Sequence, residues 1–153
     1  MTKLLSLDDL YKHWQGHRRL TIRTLETFPE EQLFNYYVDG MRSFGEMVGE
    51  MIGVENYTLK GILSGNWEWQ QDDSFDSKSS LLAALKQLEL ESKERWSQLT
   101  PEQVEAVEKD GWGMTWANRE RLLYMIENEI HHRAQGYVYL RLLGNEPPVF
   151  WER

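Results

Sequence analysis

Cysteine is absent from the 153-residue sequence. Its absence excludes disulfide bonds, thiolate metal ligands and a cysteine nucleophile. Any thiol chemistry in this protein would therefore need a thiol brought by a cofactor or a substrate. Histidine is also scarce, with four in all, so the position of each one is informative.

Long apolar runs and basic clusters are lacking as well. No stretch approaches the roughly 20 apolar residues of a membrane-spanning helix, and the first residues show no apolar core of a secretion signal. The formal net charge is −8, with 25 Asp and Glu against 17 Lys and Arg. Nucleic-acid binding draws most of its affinity from basic residues that neutralise phosphates. We therefore expect a cytoplasmic protein with no nucleic-acid or membrane partner and a small-molecule substrate.

What the sequence does contain is ordinary for a globular protein, with 41% apolar and 27% charged residues. The length fits one domain over residues 1–153 with a single apolar core. Four segments repeat apolar residues at helical spacing, and no segment shows the alternation of a strand. Helices of about 20 residues favour a bundle, so we predict an all-α fold, a four-helix bundle.

The predicted elements follow from this periodicity and from local signals at their ends. The long helices are predicted over residues 6–28, 43–63, 77–99 and 115–143, with a short helical piece from residue 100, irregular connections over 29–42 and 104–114, and a polar loop over 67–76. Ser43 and Glu46 have the spacing of a capping box. Gly49 and Gly53, one turn apart, predict close packing of a helix or an aromatic ring. The apolar residues 149–151 are predicted to dock back on the helices.

Three of the predicted helices each place one metal-competent side chain in an apolar stripe. These side chains are His17, Glu50 and His132, and Asn128 lies one turn before His132. Burying a lone carboxylate is unfavourable unless it is paired or bound to a cation, and helix bundles build metal sites from facing carboxylates and imidazoles. A mixed nitrogen and oxygen ligand set suits Zn, Ni, Fe or Mn. This spacing gives one hypothesis, a divalent transition-metal site.

The same spacing allows a second interpretation. A histidine in an apolar stripe is often a hydrogen-bonded core residue, and Glu50 could pair with Arg18, Arg19 or Arg133 instead of a metal. The two tryptophans of the polar loop are likewise open to two interpretations, as a cover for a site or as rings packed on the helices. Spacing alone leaves these alternatives open.

The last predicted helix contains the motif E-x-H-H-R-x-Q, which is fairly specific. The residues that carry a resemblance are Glu129, His131, His132, Arg133 and Gln135, with Leu143-Gly144 and Pro147-Pro148 after them and His13-Trp14-Gln15-Gly16-His17-Arg18 and Gly65-Asn66 earlier in the chain. Over essentially its whole length the sequence resembles the DinB-like, or YfiT-like, metalloenzymes. The resemblance implies a four-helix bundle in up-down-down-up order that forms a homodimer.

The resemblance also implies a metal triad, made of one histidine in the second long helix and an H-x-x-x-H pair in the last. In this sequence the three positions fall on Glu50, Asn128 and His132, so two of the three histidines are replaced. Glutamate binds harder divalent ions well, whereas asparagine is a weak, neutral ligand. We expect His17 to be able to complete the ligand set. The residues expected around the ligands are His13, Glu129, His131 and Tyr139.

Relatives with this pattern are metal-dependent enzymes that act on small molecules. The resemblance therefore implies a hydrolase or a thiol S-transferase that uses a small thiol cofactor such as bacillithiol, mycothiol or glutathione. The absence of cysteine is compatible with that chemistry, because the nucleophile would arrive with the cofactor. The altered triad supports an alternative, a non-catalytic bundle that has lost the metal and serves as a structural, interaction or small-molecule-binding protein.

Overall fold

The computed structural model describes residues 4–153, and this part of the chain is mostly helical. The elements are α1 Leu7–Thr27, α2 Glu30–Leu33, α3 Phe44–Ser64, α4 Lys78–Ser97, α5 Pro101–Glu105, β1 Val107–Lys109, β2 Thr115–Ala117 and α6 Asn118–Leu142. The four long helices agree with the predicted ones to within a few residues. No helix in the described part combines the length and apolarity needed to cross a membrane.

Local sequence signals explain where these helices begin and end. Ser43 accepts a hydrogen bond from the backbone N–H of Glu46, whose carboxylate accepts one from the backbone N–H of Ser43. This is the predicted capping box, and it satisfies two N–H groups that a helix start otherwise leaves unpaired. At the other end of α3, Gly65 takes a left-handed conformation with φ of 71°, which glycine adopts without steric strain.

Two connections differ from the prediction. Residues 29–42 contain the one-turn helix α2, and residues 107–117 form an antiparallel hairpin in which Val107 lies opposite Ala117. The prediction of no strand is therefore wrong, and α6 begins at Asn118 rather than at residue 115. Asp110 stabilises the hairpin turn because its carboxylate accepts hydrogen bonds from the N–H groups of Trp112 and Met114. Three-residue strands are too short to show alternation in a sequence.

The long helices contact one another in a closed order, α1 with α4, α4 with α3, α3 with α6, and α6 with α1. Residue pairs between helices fix their relative directions. These pairs are Trp14–Glu129 and His17–Arg133 for α1 and α6, Glu55–Ser92 and Asn56–Arg95 for α3 and α4, and Phe44–Gly136 and Glu50–His132 for α3 and α6. It follows that α1 runs parallel to α6, α3 runs parallel to α4, and α3 runs antiparallel to α6.

The apolar core consists of two clusters separated by a charged layer. One cluster is centred on the stacked rings of Phe28 and Phe44, and the other on the rings of Trp14 and Trp96. Between them lies a set of buried polar side chains, one from each long helix, that we call the charged layer. Its members are Arg18 from α1, Glu55 from α3, Ser92 from α4 and Glu129 from α6.

The C-terminal residues do not dock through their apolar side chains as predicted. Phe150 and Trp151 are 65% and 68% exposed. The segment is held instead by polar contacts: Arg23 donates to the carbonyl of Glu152, and the Arg153 guanidinium lies 3.1 Å from His17 Nε2. The prediction that residues 149–151 dock through their apolar side chains is therefore wrong.

Candidate functional site

The facing surfaces of α3 and α6 bring three of the predicted site residues together. Glu50 lies on α3, and Asn128 and His132 lie one turn apart on α6. The Oε1 atom of Glu50 is 3.0 Å from Nε2 of His132 and 3.2 Å from Nδ2 of Asn128. The structure thus places a carboxylate, an imidazole and an amide at the positions to which the family triad maps.

Oxygen atoms flank both nitrogens of the His132 ring. Nδ1 lies 2.8 Å from Oε1 of Gln135, and Nε2 faces Oε1 of Glu50. When Nδ1 carries the proton that Gln135 accepts, the lone pair of Nε2 points at the lone pairs of the Glu50 carboxylate. Two lone pairs at this separation repel each other. A positive charge between them, either a proton on Nε2 or a bound cation, makes the arrangement favourable.

Glu50 is the anionic member of this group. Its side chain is 22% exposed, and the guanidinium of Arg42 forms an ion pair with its second oxygen, Oε2. The pKa of Glu50 is lowered to about 2, most strongly by the hydrogen bond from His132 and also by those from Arg42 and Asn128, against the opposing effect of burial. Glu50 is therefore ionised at neutral pH. Its partners differ from the arginines that the sequence suggested.

The donor set fits a weakly held divalent ion better than a closed structural metal site. Glu50 and His132 supply two good ligands, and Oδ1 of Asn128 is buried without a hydrogen-bond partner, so it is a spare oxygen donor. No group of three or more His, Cys, Asp or Glu side chains within residues 4–153 has the geometry of a metal site. Arg42 also competes for the Glu50 carboxylate. An ion held here would keep open positions for water or substrate.

His17 is held by other partners and does not join this group. Its Nδ1 lies 2.9 Å from a guanidinium nitrogen of Arg133, and its Nε2 lies 3.1 Å from one of Arg153 and 3.2 Å from Nε2 of His13. The pKa of His17 is lowered to about 4, mainly by burial and also by the charges of Arg133, His13 and Arg153. The described contacts therefore pair His17 with cations, and His13 accompanies it rather than the triad positions.

Glu129 belongs to the charged layer. The Arg18 guanidinium donates to Glu129 Oε1 at 2.9 Å and to Glu55 Oε2 at 2.7 Å, and Trp14 Nε1 donates to Glu129 Oε2 at 3.2 Å. The hydroxyl of Ser92 donates to Glu55. The sequence analysis missed Glu55, although its place in an apolar stripe was a signal of a buried, paired carboxylate.

The pKa values of the two buried carboxylates of the charged layer shift in opposite directions. Burial raises the pKa of Glu55, and the opposing effects of Arg18 and Ser92 do not cancel the increase. Burial acts in the same direction on Glu129, but the charge and hydrogen bonds of Arg18 outweigh it, so the pKa of Glu129 is lowered. Both carboxylates thus share the Arg18 guanidinium as their hydrogen-bonded counter-charge, and the charge of Arg133 also lowers the pKa of Glu129.

The last two predicted neighbours have distinct positions. His131 is exposed, and its ring centroid lies 5.0 Å from that of His132. Tyr139 is buried, and its hydroxyl donates to the backbone carbonyl of Arg42 at 2.9 Å. Tyr139 therefore anchors the backbone of the residue whose guanidinium pairs with Glu50.

Glu50 also forms part of the wall of a cavity of about 520 Å³. The cavity lies between α3, α6, the 67–76 loop and the hairpin, and five of its lining residues are aromatic: Tyr57, Trp69, Trp112, Trp116 and Tyr124. Its size is in the range of small-molecule sites, which are mostly apolar with a few polar groups. The sequence analysis missed Trp112 and Trp116 as lining residues, because it placed Trp112 in an irregular connection and Trp116 in the first turn of the last helix.

Comparison with known proteins places this geometry in a family. The model of the DinB family matches residues 1–152. The chain belongs to the DinB family. No curated protein matches this DinB-family sequence significantly.

Solved structures support the same conclusion about the fold. A DinB-like protein of Bacillus subtilis is 25% identical to this DinB-family chain, with a TM-score of 0.75 over 92% of this chain and 96% of that one. A DinB-like protein of Bacillus cereus is 19% identical, with a TM-score of 0.77 over 93% and 95%. A histidine-to-alanine mutant of the mycothiol-dependent maleylpyruvate isomerase is 15% identical, with a TM-score of 0.57 over 88% and 62%.

Proposed function

We propose that this DinB-family protein is a metal-dependent enzyme acting on a small molecule, with a divalent ion (Zn, Ni, Mn or Fe) held by Glu50 and His132. The observation that carries the proposal is the separation of 3.0 Å between Glu50 Oε1 and His132 Nε2 at the wall of a 520 Å³ cavity. Gln135 supports it, because a histidine that binds a metal commonly donates its other N–H to an oxygen.

Each residue of the group has a defined task in this proposal. Glu50 supplies the negative charge and His132 the imidazole nitrogen, while Asn128 presents a neutral oxygen beside them. Arg42 holds the second carboxylate oxygen and so fixes the orientation of Glu50. A divalent ion at such a site lowers the pKa of a bound thiol or water. Tyr139 keeps Arg42 in place through the backbone.

Within this proposal the reaction is a thiol S-transfer, with hydrolysis as the alternative reaction of the same site. The similar fold of the mycothiol-dependent isomerase supports a small thiol as cofactor, and a chain without cysteine needs one from outside. The closed contact order and the helix directions support a four-helix bundle in up-down-down-up order. The homodimer and the cytoplasmic location stay predictions.

Metal content tests the proposal. Elemental mass spectrometry of the purified protein should find metal close to one ion per chain in the wild type and a loss of it in His132→Ala. His131→Ala is the matched control, because His131 is the exposed neighbour and should keep the metal. Absence of metal from all three proteins after incubation with Zn, Ni, Mn and Fe would contradict the proposal.

A second function has one observation in its favour. The Arg42 guanidinium already neutralises Glu50, and a proton on His132 Nε2 satisfies the remaining contact without a metal. On this interpretation the protein is a non-catalytic helical bundle that binds a small molecule in the cavity. A chelator should then leave the thermal unfolding midpoint unchanged, whereas loss of a bound ion would lower it.

A further inference from the structure

Three aromatic rings form one corner of the cavity, which we call the aromatic corner. They belong to Tyr57, Trp69 and Trp112. The ring centroids are 6.0 Å apart for Tyr57 and Trp69, 6.2 Å for Tyr57 and Trp112, and 5.8 Å for Trp69 and Trp112. The corresponding interplanar angles are 62°, 71° and 87°. At these distances the three rings pack edge to face on one another, and each of them also lines the cavity.

Different parts of the chain hold these rings in place. Tyr57 projects from α3, and the Trp69 ring lies against Gly53 of the same helix, where an added Cβ would lie 2.7 Å from a ring carbon. Trp112 lies in the hairpin turn, and its backbone N–H donates to Asp110 at 2.9 Å. Glycine at position 53 is therefore needed for this ring position. Trp112 is nonetheless 65% exposed, so most of its ring is free to contact a ligand.

The same cavity already stacks one cation on aromatic rings. The Arg121 guanidinium lies 4.6 Å from the ring centroid of Trp67 and 5.7 Å from that of Trp116. Arg121 is buried and also pairs with Asp110. Within the described residues, no arginine or lysine lies over the three rings of the aromatic corner, and the exposed ring of Trp112 can contact a cation from outside.

The charge of the cavity wall favours a cation. Two carboxylates, Glu50 and Asp110, and one guanidinium, that of Arg121, line the cavity. Asp110 and Arg121 neutralise each other, and the remaining charge of the lining is the ionised Glu50, whose other oxygen pairs with Arg42 outside the cavity lining. Aromatic ring faces carry negative electrostatic potential and attract cations, most strongly when several rings surround the cation. An anion would meet ring faces and the Glu50 carboxylate, both of which repel it.

We propose that the aromatic corner binds the alkylated ammonium group of a small organic cation. The methyl or methylene groups of such an ion pack on the rings while its charge interacts with the ring faces and, at longer range, with Glu50. The inference deepens the proposed function by naming the class of ligand for the same cavity, and it rests on that cavity being the ligand site. The contribution of Glu50 applies to the metal-free protein, because a divalent ion on Glu50 would offset the carboxylate charge; the ring contacts do not depend on the metal.

Titration calorimetry tests this inference with choline as the cationic probe. The matched neutral probe is the carbon isostere of choline, in which a tert-butyl group replaces the trimethylammonium group. Choline should bind at least about tenfold more tightly than the isostere, which has the same shape and no charge. Trp112→Ala should weaken choline binding about tenfold. Trp151→Ala is the control, because Trp151 is similarly exposed at 68% and does not line the cavity.

Several outcomes would overturn the inference. Equal binding of the two probes would show an apolar cavity without cation selectivity. No binding of choline at millimolar concentration, or an equal loss in Trp151→Ala, would remove the aromatic corner as a site. His132→Ala separates the two proposals, since it should abolish metal binding and leave choline binding intact. Absence of metal from the wild type, with choline binding intact, would contradict only the metal-dependent function.

Discussion

Replacing Arg18 with methionine would remove the only guanidinium of the charged layer while keeping an unbranched side chain of similar length. Arg18 is 4% exposed, and its two partners, Glu55 and Glu129, are 0% and 1% exposed. The substitution would therefore leave two buried carboxylates without their ion-pair partner, with only the charge of Arg133 acting on Glu129. Removing one partner of a buried ion pair costs about 3–5 kcal/mol. For a chain of this length that corresponds to a decrease of about 10 °C in the unfolding midpoint.

The pH dependence gives the sharper test. In the wild type, Arg18 outweighs burial and holds the pKa of Glu129 below its ordinary value, so this contribution to stability is present above that value and is lost as the pH falls. Without Arg18, burial is opposed only by weaker effects, chiefly the charge of Arg133 on Glu129 and the hydrogen bond from Ser92 to Glu55. We expect both carboxylates then to have pKa values above those of the unfolded chain. The stability of the variant should then fall as the pH rises. The difference from the wild type should therefore be smaller at about pH 5 than at about pH 8.

Urea unfolding followed by tryptophan fluorescence measures this difference at each pH. Arg119→Met is the matched control, because Arg119 pairs with Glu105 on the surface, where both side chains are more than half exposed. Such a pair contributes less than about 1 kcal/mol. Adding Glu129→Gln to Arg18→Met should restore part of the stability by removing one unpaired charge. Equal losses in the Arg18 and Arg119 variants, or a loss that does not change with pH, would refute the reasoning.

Two further substitutions test contacts that position the cavity and the site. Gly53→Ala should lower the free energy of unfolding by about 1–3 kcal/mol and weaken choline binding, because the new methyl group would displace the Trp69 ring. Gly49→Ala is the control, because its Cβ would meet the nearest side-chain atom at 3.6 Å. This control should be neutral or stabilising in the same urea titration. Tyr139→Phe should lower the free energy of unfolding by about 1 kcal/mol, since it removes the hydrogen bond to the carbonyl of Arg42. An unchanged midpoint in thermal unfolding would argue against Tyr139 as an anchor of the Arg42 backbone.

The sequence predicted those parts of the fold that depend on neighbouring residues. The capping box of Ser43 and Glu46 and the close packing at Gly53 were predictable, because the signals lie within one or two turns of a helix. The hairpin was not, because its strands are three residues long and its stability depends on contacts made by Asp110 and Arg121. Helical periodicity identifies a buried face but does not specify which residue of another helix it meets.

The same limit applies to the candidate site. Helical spacing identified Glu50 and His132 as inward-facing and placed Asn128 on the same face as His132, and the family pattern then grouped the three as one metal site. The predicted partners of Glu50 were wrong, because Arg18 is taken up by Glu55 and Glu129, and Arg42 comes from a connection in which no helical face could be assigned. The ring positions around the cavity depend on loop conformations, which leave no periodic signal in a sequence.

The charged layer has a consequence for how the chain selects one arrangement of its helices. A buried ion pair adds little net stability compared with apolar side chains of the same size, so its effect lies in discrimination. One guanidinium from α1 forms ion pairs with carboxylates from both α3 and α6. If two helices exchanged places, or if one shifted by a turn, a buried charge would therefore be left unpaired in an apolar interior. We expect the charged layer to specify helix order and register, because it makes compact states with another order or register less stable than the native one.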